Sequence, residues 1–474
     1  MHELINTLEN KLQAISQKQL MAFFCELSES QKEMLIKKIG QLNLSKIPLW
    51  IEKYVKNDDS LKIPDHFDPA PSYPARPKTD EQVEKYAKAL KIGENLISQG
   101  KVAGFVVAGG QGTRLGFDGP KGNYPISPVE NKTLFQVFAE NLMAASTKYS
   151  TTIPWYIMTS PLNHDATIEI FESADYYGLG GENVFIFQQG TLPNFSFDGK
   201  ILMADKHEIA TSPDGHGGSL KALYASGAIA DMKKRGVEHI SYWQVDNPLI
   251  YLIDPLFLGL HVLDKAEMSS KALVKAGPLE KVGNFCQVDG KVTVIEYSDL
   301  PDETAHQKNP DGSLVFELGS IGIHLINVSF VEKLNQEGDF ALPFHRAVKK
   351  IPHIDENGER VEPAEPNGIK LETFVFDALP LAKHSIILQT VREEEFAPVK
   401  NATGVDSAEV TRQMMIDRAA AWLEAARVKV PRKADGTPDC VLEIAPSFAL
   451  TPEDLKAKLD QIPPIKPGDE LYLG

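Results

Sequence analysis

The chain has 474 residues, 42% hydrophobic and 24% charged, the make-up of a soluble globular protein long enough for two or three domains. Its 49 basic and 65 acidic residues leave a net charge of −16, which argues against nucleic acid as a general partner, so any anionic ligand has to be met by a local basic pocket. No apolar run approaches the roughly 18 residues of a membrane span, and the start, MHELINTLENKLQ, is amphipathic and charged where a secretory signal would be basic and then apolar; a cytoplasmic address with no membrane partner is expected.

In the first 57 residues Leu4, Ile5, Leu8, Leu12 and Ile15 recur at three- and four-residue spacing, and Leu20, Phe23, Phe24 and Leu27 do so again, which predicts helices with an apolar stripe. That stripe either caps the main domain or serves as an oligomerisation or partner-binding arm; periodicity does not separate the two, and a homo-oligomer stays open. The proline-rich stretch Ile63 to Pro77 cannot continue a helix and reads as an extended wrap. From about residue 80 helix and strand alternate: a helix ending near Gly100, a strand Val102 to Ala108, a helix Leu134 to Ser146, and strands Trp155 to Thr159, Val184 to Gln188 and His239 to Val245. This predicts an α/β fold with a mostly parallel sheet and helices on both faces. A smaller region begins at Ile386 to Val391, with a helix Ala408 to Ala426, short Pro-punctuated strands and a Thr451-capped helix within Pro446 to Ile462. The expected organisation is a helical region and linker over 1–78, a main domain over 79–385 and a small C-terminal domain over 386–474. The three cysteines, Cys25, Cys286 and Cys440, are odd in number and widely spaced, supporting neither a disulfide framework nor a zinc site; they are expected to be reduced and structural.

The stretch VVAGGQGTRLGFDGPK, Val106 to Lys121, runs an apolar strand into a glycine-rich turn. Glycines 109, 110, 112 and 116 permit positive φ and close backbone approach, so N–H groups can converge on anionic oxygens, while Arg114 and Lys121 add full positive charge. Neither the P-loop spacing nor the dinucleotide fingerprint fits, because Leu115 stands where the third fingerprint glycine would be and Gly122 and Asn123 follow Lys121. The turn is a candidate site for a nucleotide's phosphates. Asp246 ends the apolar run ISYWQV, where a carboxylate either caps a turn or holds a metal, and it falls with the glycine turn beyond the carboxyl ends of strands.

The turn resembles the G-G-x-G-T-R-L-G-x(4)-P-K signature of the nucleotide pyrophosphorylases. In order along the chain follow IPWYIMTS, FQQGTLPNFSFDGKI, SPDGHGGSLKAL, the triplet Val245-Asp246-Asn247, VGNFCQVDGKVTVIEYSD and NGIKLETFVFD. From about residue 80 to about 402 the chain thus resembles the UDP-sugar pyrophosphorylases, most closely the UDP-N-acetylhexosamine branch.

The resemblance implies a Rossmann-like, GT-A-like nucleotidyltransferase domain over 79–385 that joins UTP to a sugar 1-phosphate. It places Arg114, Lys121 and Lys370 in catalysis. Ala108, Gly109, Gly110, Gly112, Thr113, Lys121, Gln189, Gly215, Asp246 and Lys370 fall to the nucleotide, and Asp246 to magnesium or manganese. His216, Gly283, Glu296 and Ser320 fall to the sugar. Gln189 taken alone reads as a turn residue; its place in QQGTLP makes it a uracil reader.

Two positions depart from the acetylhexosamine pattern. Gly215-His216-Gly217-Gly218 stands for Gly-Asn-Gly-Gly, and Ser320-Ile321-Gly322-Ile323-His324 for Asn-Ile-x-Asn-His. The first change is the habit of UDP-glucose and broad UDP-sugar enzymes, so either sugar class remains open. His216 is expected to touch sugar or phosphate, and His324 to satisfy a buried hydrogen bond. No hexapeptide repeat marks a C-terminal β-helix.

Overall fold

The computed structural model describes residues 2–57, 64, 66–336 and 340–474. Met1, the Leu4 side chain, and Ile63 and Asp65 of the proline-rich stretch lie outside the described residues.

The chain divides into two compact units, the first made of residues 1–63, 189–221 and 341–377. Helix His2–Ala14 ends where Ser16 takes φ +60°, and helix Glu29–Gln41 opens on a reciprocal cap between Ser28 and Gln31. The predicted second helical stripe is instead two single 3-10 turns, Lys18–Met21 and Phe24–Glu26. Gln17 explains the break: its buried amide donates to the Gly199 carbonyl (2.9 Å) and accepts from the Ile201 N–H (2.8 Å), so this stretch follows another loop's backbone rather than a helical period. The apolar stripe is buried within this unit, with Leu12, Leu20, Leu35, Ile39 and Ile47 against Leu192, Phe195, Ile201, Ile369 and Leu371. A small antiparallel sheet orders His345–Lys349, Gly368–Glu372 and Phe195–Ser196.

The second unit comprises residues 64–188, 222–340 and 378–474. Among the described residues its sheet has ten strands, and the run His239–Gln244, Val102–Val107, Trp155–Thr159, Val184–Gln188 is parallel. These strands are continuous apolar segments because helices cover both faces. Trp155 and Trp243 stack at 6.5 Å over Phe135 and Phe138 in the core. Two helices of this unit open on side-chain caps, Thr79 for Asp80–Ser98 and Thr133 for Leu134–Lys148.

Leu318–Asn327 pairs antiparallel with His239–Gln244 and starts an antiparallel half, so the sheet is mixed and less parallel than helix–strand alternation predicts. The sequence signal for this half is Asp289-Gly290, both at positive φ, which closes a hairpin between Gly283–Val288 and Lys291–Ile295.

Helix Ala408–Ala425, capped by Ser407, and the parallel pair Val441–Ile444 with Glu470–Leu473 close a cluster around Trp422, Leu442, Phe448 and Leu473. Thr451 caps as expected, but its helix is short, Pro452–Lys456. All three cysteines are free; Cys286 and Cys440 are buried as expected for structural residues, whereas Cys25 is exposed. Among the described residues no helix is long and apolar enough to cross a membrane.

Candidate functional site

The glycine turn leaves strand Val102–Val107 and folds back on itself: Gly112 N–H donates to the Gly119 carbonyl (2.9 Å) and Lys121 N–H to that of Gly110 (3.0 Å). The buried Asn163 amide clamps its entry, donating to the Ala108 and Gly110 carbonyls at 2.8 and 3.2 Å. Among the described residues the N–H groups of Gly109 and Gly110 meet no protein acceptor, and a side chain at Gly110 would point into open space. Such adjacent donors suit an anion. Positive φ, expected at four glycines, occurs only at Gly116 (φ +69°); Gly109, Gly110 and Gly112 keep negative values. At Gly112 the value is room instead, since a Cβ there would lie 2.7 Å from the Phe117 ring.

Lys121 opens a 3-10 turn, and its ammonium lies 3.5 Å from the Val399 carbonyl. Burial holds its pKa below the lysine range; Asp246 opposes this, while the charges of Arg114 and Lys400 add to it. Asp246 follows the strand whose Gln244 pairs with Val107, so it stands beside the start of the glycine turn, and its carbonyl accepts from Val399 N–H at 2.7 Å. Arg114, Lys121 and Lys400 therefore crowd together with Asp246, an arrangement that favours a multiply charged anion. Sequence reasoning missed Lys400; the available signal was a lysine directly after the apolar run Phe396 to Val399.

The sugar candidates of this unit also converge. Gly283 is in register with Ser320, and a Cβ built on it would lie 3.4 Å from Glu296 Oε1 and 3.8 Å from Ser320 Cβ. His324 is fully buried, with Nδ1 2.8 Å from the Ser270 hydroxyl, as the buried-bond reading expects.

The first unit holds the remaining residues. Gln189 Nε2 donates to Asp214 Oδ1 (3.1 Å) and to the Gly215 carbonyl (3.0 Å). Gly215 sits at φ +84°, and a Cβ there would lie 2.3 Å from the Thr373 carbonyl, so only glycine fits. The loop is tied to Thr373, whose N–H and hydroxyl donate to the Asp214 carbonyl while Gly217 N–H donates to its own.

His216 stacks on Phe374 (5.1 Å), and its Nδ1 accepts from Val375 N–H at 3.1 Å. An N–H donor facing Nδ1 requires a lone pair there, so the neutral ring carries its proton on Nε2. Burial lowers its pKa to about 4, with the nearby His345 adding to the shift. His216 is thus a neutral ring with a donor at Nε2, not a cation. His345 itself pairs with Asp377 (2.7 Å) and also stacks on Phe374 (4.0 Å). Lys370, on strand Gly368–Glu372, is paired with Glu372 at 3.0 Å. Asp214, also missed from the sequence, is buried among these groups, and burial raises its pKa to about 6.

The chain is 36% identical over 479 residues to human UDP-N-acetylhexosamine pyrophosphorylase-like protein 1, covering 95% of this chain and 94% of the relative. It is 35% identical over 429 residues to UDP-N-acetylglucosamine pyrophosphorylase from Saccharomyces cerevisiae, covering 86% and 89%. The crystal structure of the uridine diphosphate N-acetylglucosamine pyrophosphorylase from Trypanosoma brucei in complex with inhibitor shares the fold, with a TM-score of 0.82 at 24% identity over 100% of this chain and 98% of that one. Residues 71–473 match the model of the UDPGP family, UTP--glucose-1-phosphate uridylyltransferase, and the chain belongs to that family.

Proposed function

We propose that the protein joins UTP and N-acetylglucosamine 1-phosphate to give UDP-N-acetylglucosamine and pyrophosphate. A phosphate oxygen of the sugar forms a bond to the α-phosphorus of UTP, and the bond from that phosphorus to the bridging oxygen breaks as pyrophosphate leaves. The nucleophile is already ionised near neutral pH, so no side chain need act as a base. The protein has to align and neutralise two polyanions.

The gathering of Arg114, Lys121 and Lys400 beside Asp246 carries this reading: burial first, and the two like charges after it, lower the pKa of Lys121 and leave the cluster in want of an anion. In the same reading Gln189 and Gly215 recognise uracil, Lys370 contacts phosphate, and Gly283, Glu296 and Ser320 contact sugar hydroxyls. The neutral His216 donates through Nε2.

Magnesium or manganese belongs to the proposal. Among the described residues no three His, Cys, Asp or Glu side chains gather into a metal cage. A single aspartate fits a hard cation that takes most of its oxygens from phosphate and water. Asp246 would hold the ion, which would neutralise triphosphate charge.

The test is metal-dependent pyrophosphate release from UTP with N-acetylglucosamine, N-acetylgalactosamine, glucose and galactose 1-phosphates side by side. Preference for the acetamido sugars supports the proposal. Preference for the plain hexoses would assign the second reading, in which His216 and Ser320 mark a pocket for UDP-glucose or for hexoses in general. An unchanged sugar preference in His216→Asn would remove His216 as the specificity residue.

A further inference from the structure

An amide that reads a base has to be told which way round to stand, since its oxygen and nitrogen are nearly the same size. At Gln189 the structure settles this. Both N–H groups of Nε2 are used, one on Asp214 Oδ1 and one on the Gly215 carbonyl. A carbonyl only accepts, and an ionised carboxylate only accepts, so neither tolerates the flipped amide. Oε1 is left as the group available to a ligand.

The surroundings are built to hold a carboxylate at this place. A Cβ on Gly218 would lie 2.0 Å from Asp214 Oδ1, and one on Gly190 would lie 2.6 Å from Oδ2, so two glycines give up their side chains to it. Its backbone is fixed from both sides, with Asp214 N–H donating to the Gly190 carbonyl (3.1 Å) and the Asp214 carbonyl accepting from Thr373 N–H (2.8 Å) and hydroxyl (3.0 Å). Asp214 is 7% exposed and Gln189 9% exposed, so neither loses this contact to water.

We propose that Asp214 is the positioning residue for nucleotide choice: it locks the Gln189 amide with Oε1 toward the base and so selects a base with N–H at position 3, uracil, over one with a lone pair there, cytosine. The inference rests on the proposed role of Gln189 as a base reader. Burial pushes the Asp214 carboxyl up to about 6, against Gln189 and the charges of Lys221 and Lys370, so at pH 8 it is ionised and acceptor-only.

The experiment measures kcat/KM for UTP and for CTP with N-acetylglucosamine 1-phosphate at pH 8 in the full-length wild type, D214A and D214N. With one of two anchors gone, D214A is expected to narrow the UTP-to-CTP ratio about tenfold, the share of a hydrogen bond to a charged group. D214N keeps a carbonyl acceptor and is expected to hold most of the ratio. D214L, which keeps the branching of the carboxylate but cannot accept, is the companion variant should D214A fail to fold, and is read in the same ratio. An unchanged ratio in an active D214A or D214L overturns the proposal. So does a parallel loss of both nucleotides, which is what a merely structural residue gives, and so does a D214N that loses the ratio as fully as D214A. A wild type that does not use UTP would refute the proposed function instead, before any variant is compared.

Discussion

Replacing Lys271 by methionine should be among the most damaging single changes in the second unit. Lys271, on strand Met268–Val274, is 1% exposed, and its ammonium lies 2.7 Å from Asp254 and 2.6 and 2.7 Å from the two oxygens of Glu395. Burial alone would lower its pKa, but the two carboxylates outweigh it and the pKa is raised. Asp254 caps helix Pro255–Leu263 through the N–H groups of Leu256 and Phe257, and Glu395 also accepts from Tyr251 N–H and the Thr390 hydroxyl. Methionine fills the volume, so the cost is electrostatic: two carboxylates left without their cation, at about 3–5 kcal/mol. Urea denaturation at pH 8, followed by tryptophan fluorescence, reads this as a lower midpoint at unchanged slope. K271M combined with E395Q should cost less than the sum of the two changes, since the pair shares one interaction. A loss below about 1 kcal/mol for K271M would refute the reasoning, because it would mean that the buried carboxylates are solvated or protonated without their lysine. Activity should fall as well. The Glu395 carbonyl accepts from the Asn247 amide (2.7 Å), whose oxygen accepts from Ala397 N–H (3.0 Å), and this stitching joins the segment after Asp246 to the one leading to Lys400.

Three further outcomes follow from the geometry. Gly122→Ala places a Cβ 2.1 Å from the Phe135 ring in the packed core, so it should destabilise by about 1–3 kcal/mol and displace Lys121; thermal unfolding and kcat/KM check it, and a silent variant would contradict the packing. Lys400→Met should lower kcat by about 100-fold if its charge acts on the transferred phosphate, and should also raise the pKa of Lys121 by removing a like charge, which pH-dependent labelling of Lys121 would detect. The third concerns acid stability. His216 refuses a proton until about pH 4 while the unfolded chain takes one near 6.5, so it lowers stability as pH falls through that window. Asp214 takes its proton near 6, before the unfolded chain does near 3.8, so it raises stability over much of the same range. His216→Asn should therefore lose less stability than the wild type between pH 6.5 and 4 in thermal melts; an identical acid loss would show that the ring titrates normally.

The parallel half of the sheet was legible because its strands are uninterrupted apolar runs between capped helices; Trp155–Thr159 and Val184–Gln188 fall where periodicity puts them. The antiparallel half was harder to read. Only a short helix, Asp302–Ala305, separates its hairpin from Leu318–Asn327, and its one local signal, Asp289-Gly290, specifies a hairpin but not its partner in the sheet. The glycine turn, Lys121 and Asp246 stood out in the sequence as candidates, since charge beside glycine at a strand end has few structural uses. Asp214, Lys400 and Asn163 were not, because each acts through contacts with residues tens to hundreds of positions away: Asp214 with Gln189, Lys400 with Lys121, Asn163 with the Ala108 carbonyl.

Under the proposed function the charged and the neutral recognition groups fall in different units. In the second, Arg114, Lys121 and Lys400 gather beside Asp246, and the depression of the Lys121 pKa, from burial first and these like charges after it, is a cost that ligand phosphates would relieve. In the first, apart from Lys370 with its Glu372 partner, the polar groups are neutral or already paired: the Gln189 amide on Asp214 and His216 as an uncharged donor. A base presents neutral donors and acceptors, and is best met by groups whose orientation is fixed and whose charge is spent. Phosphates are anions, and are best met by cations that the fold has left short of partners. The net charge of −16 sharpens the contrast, because a polyanionic substrate approaching an acidic protein gains its attraction only where such a local excess of cations is held.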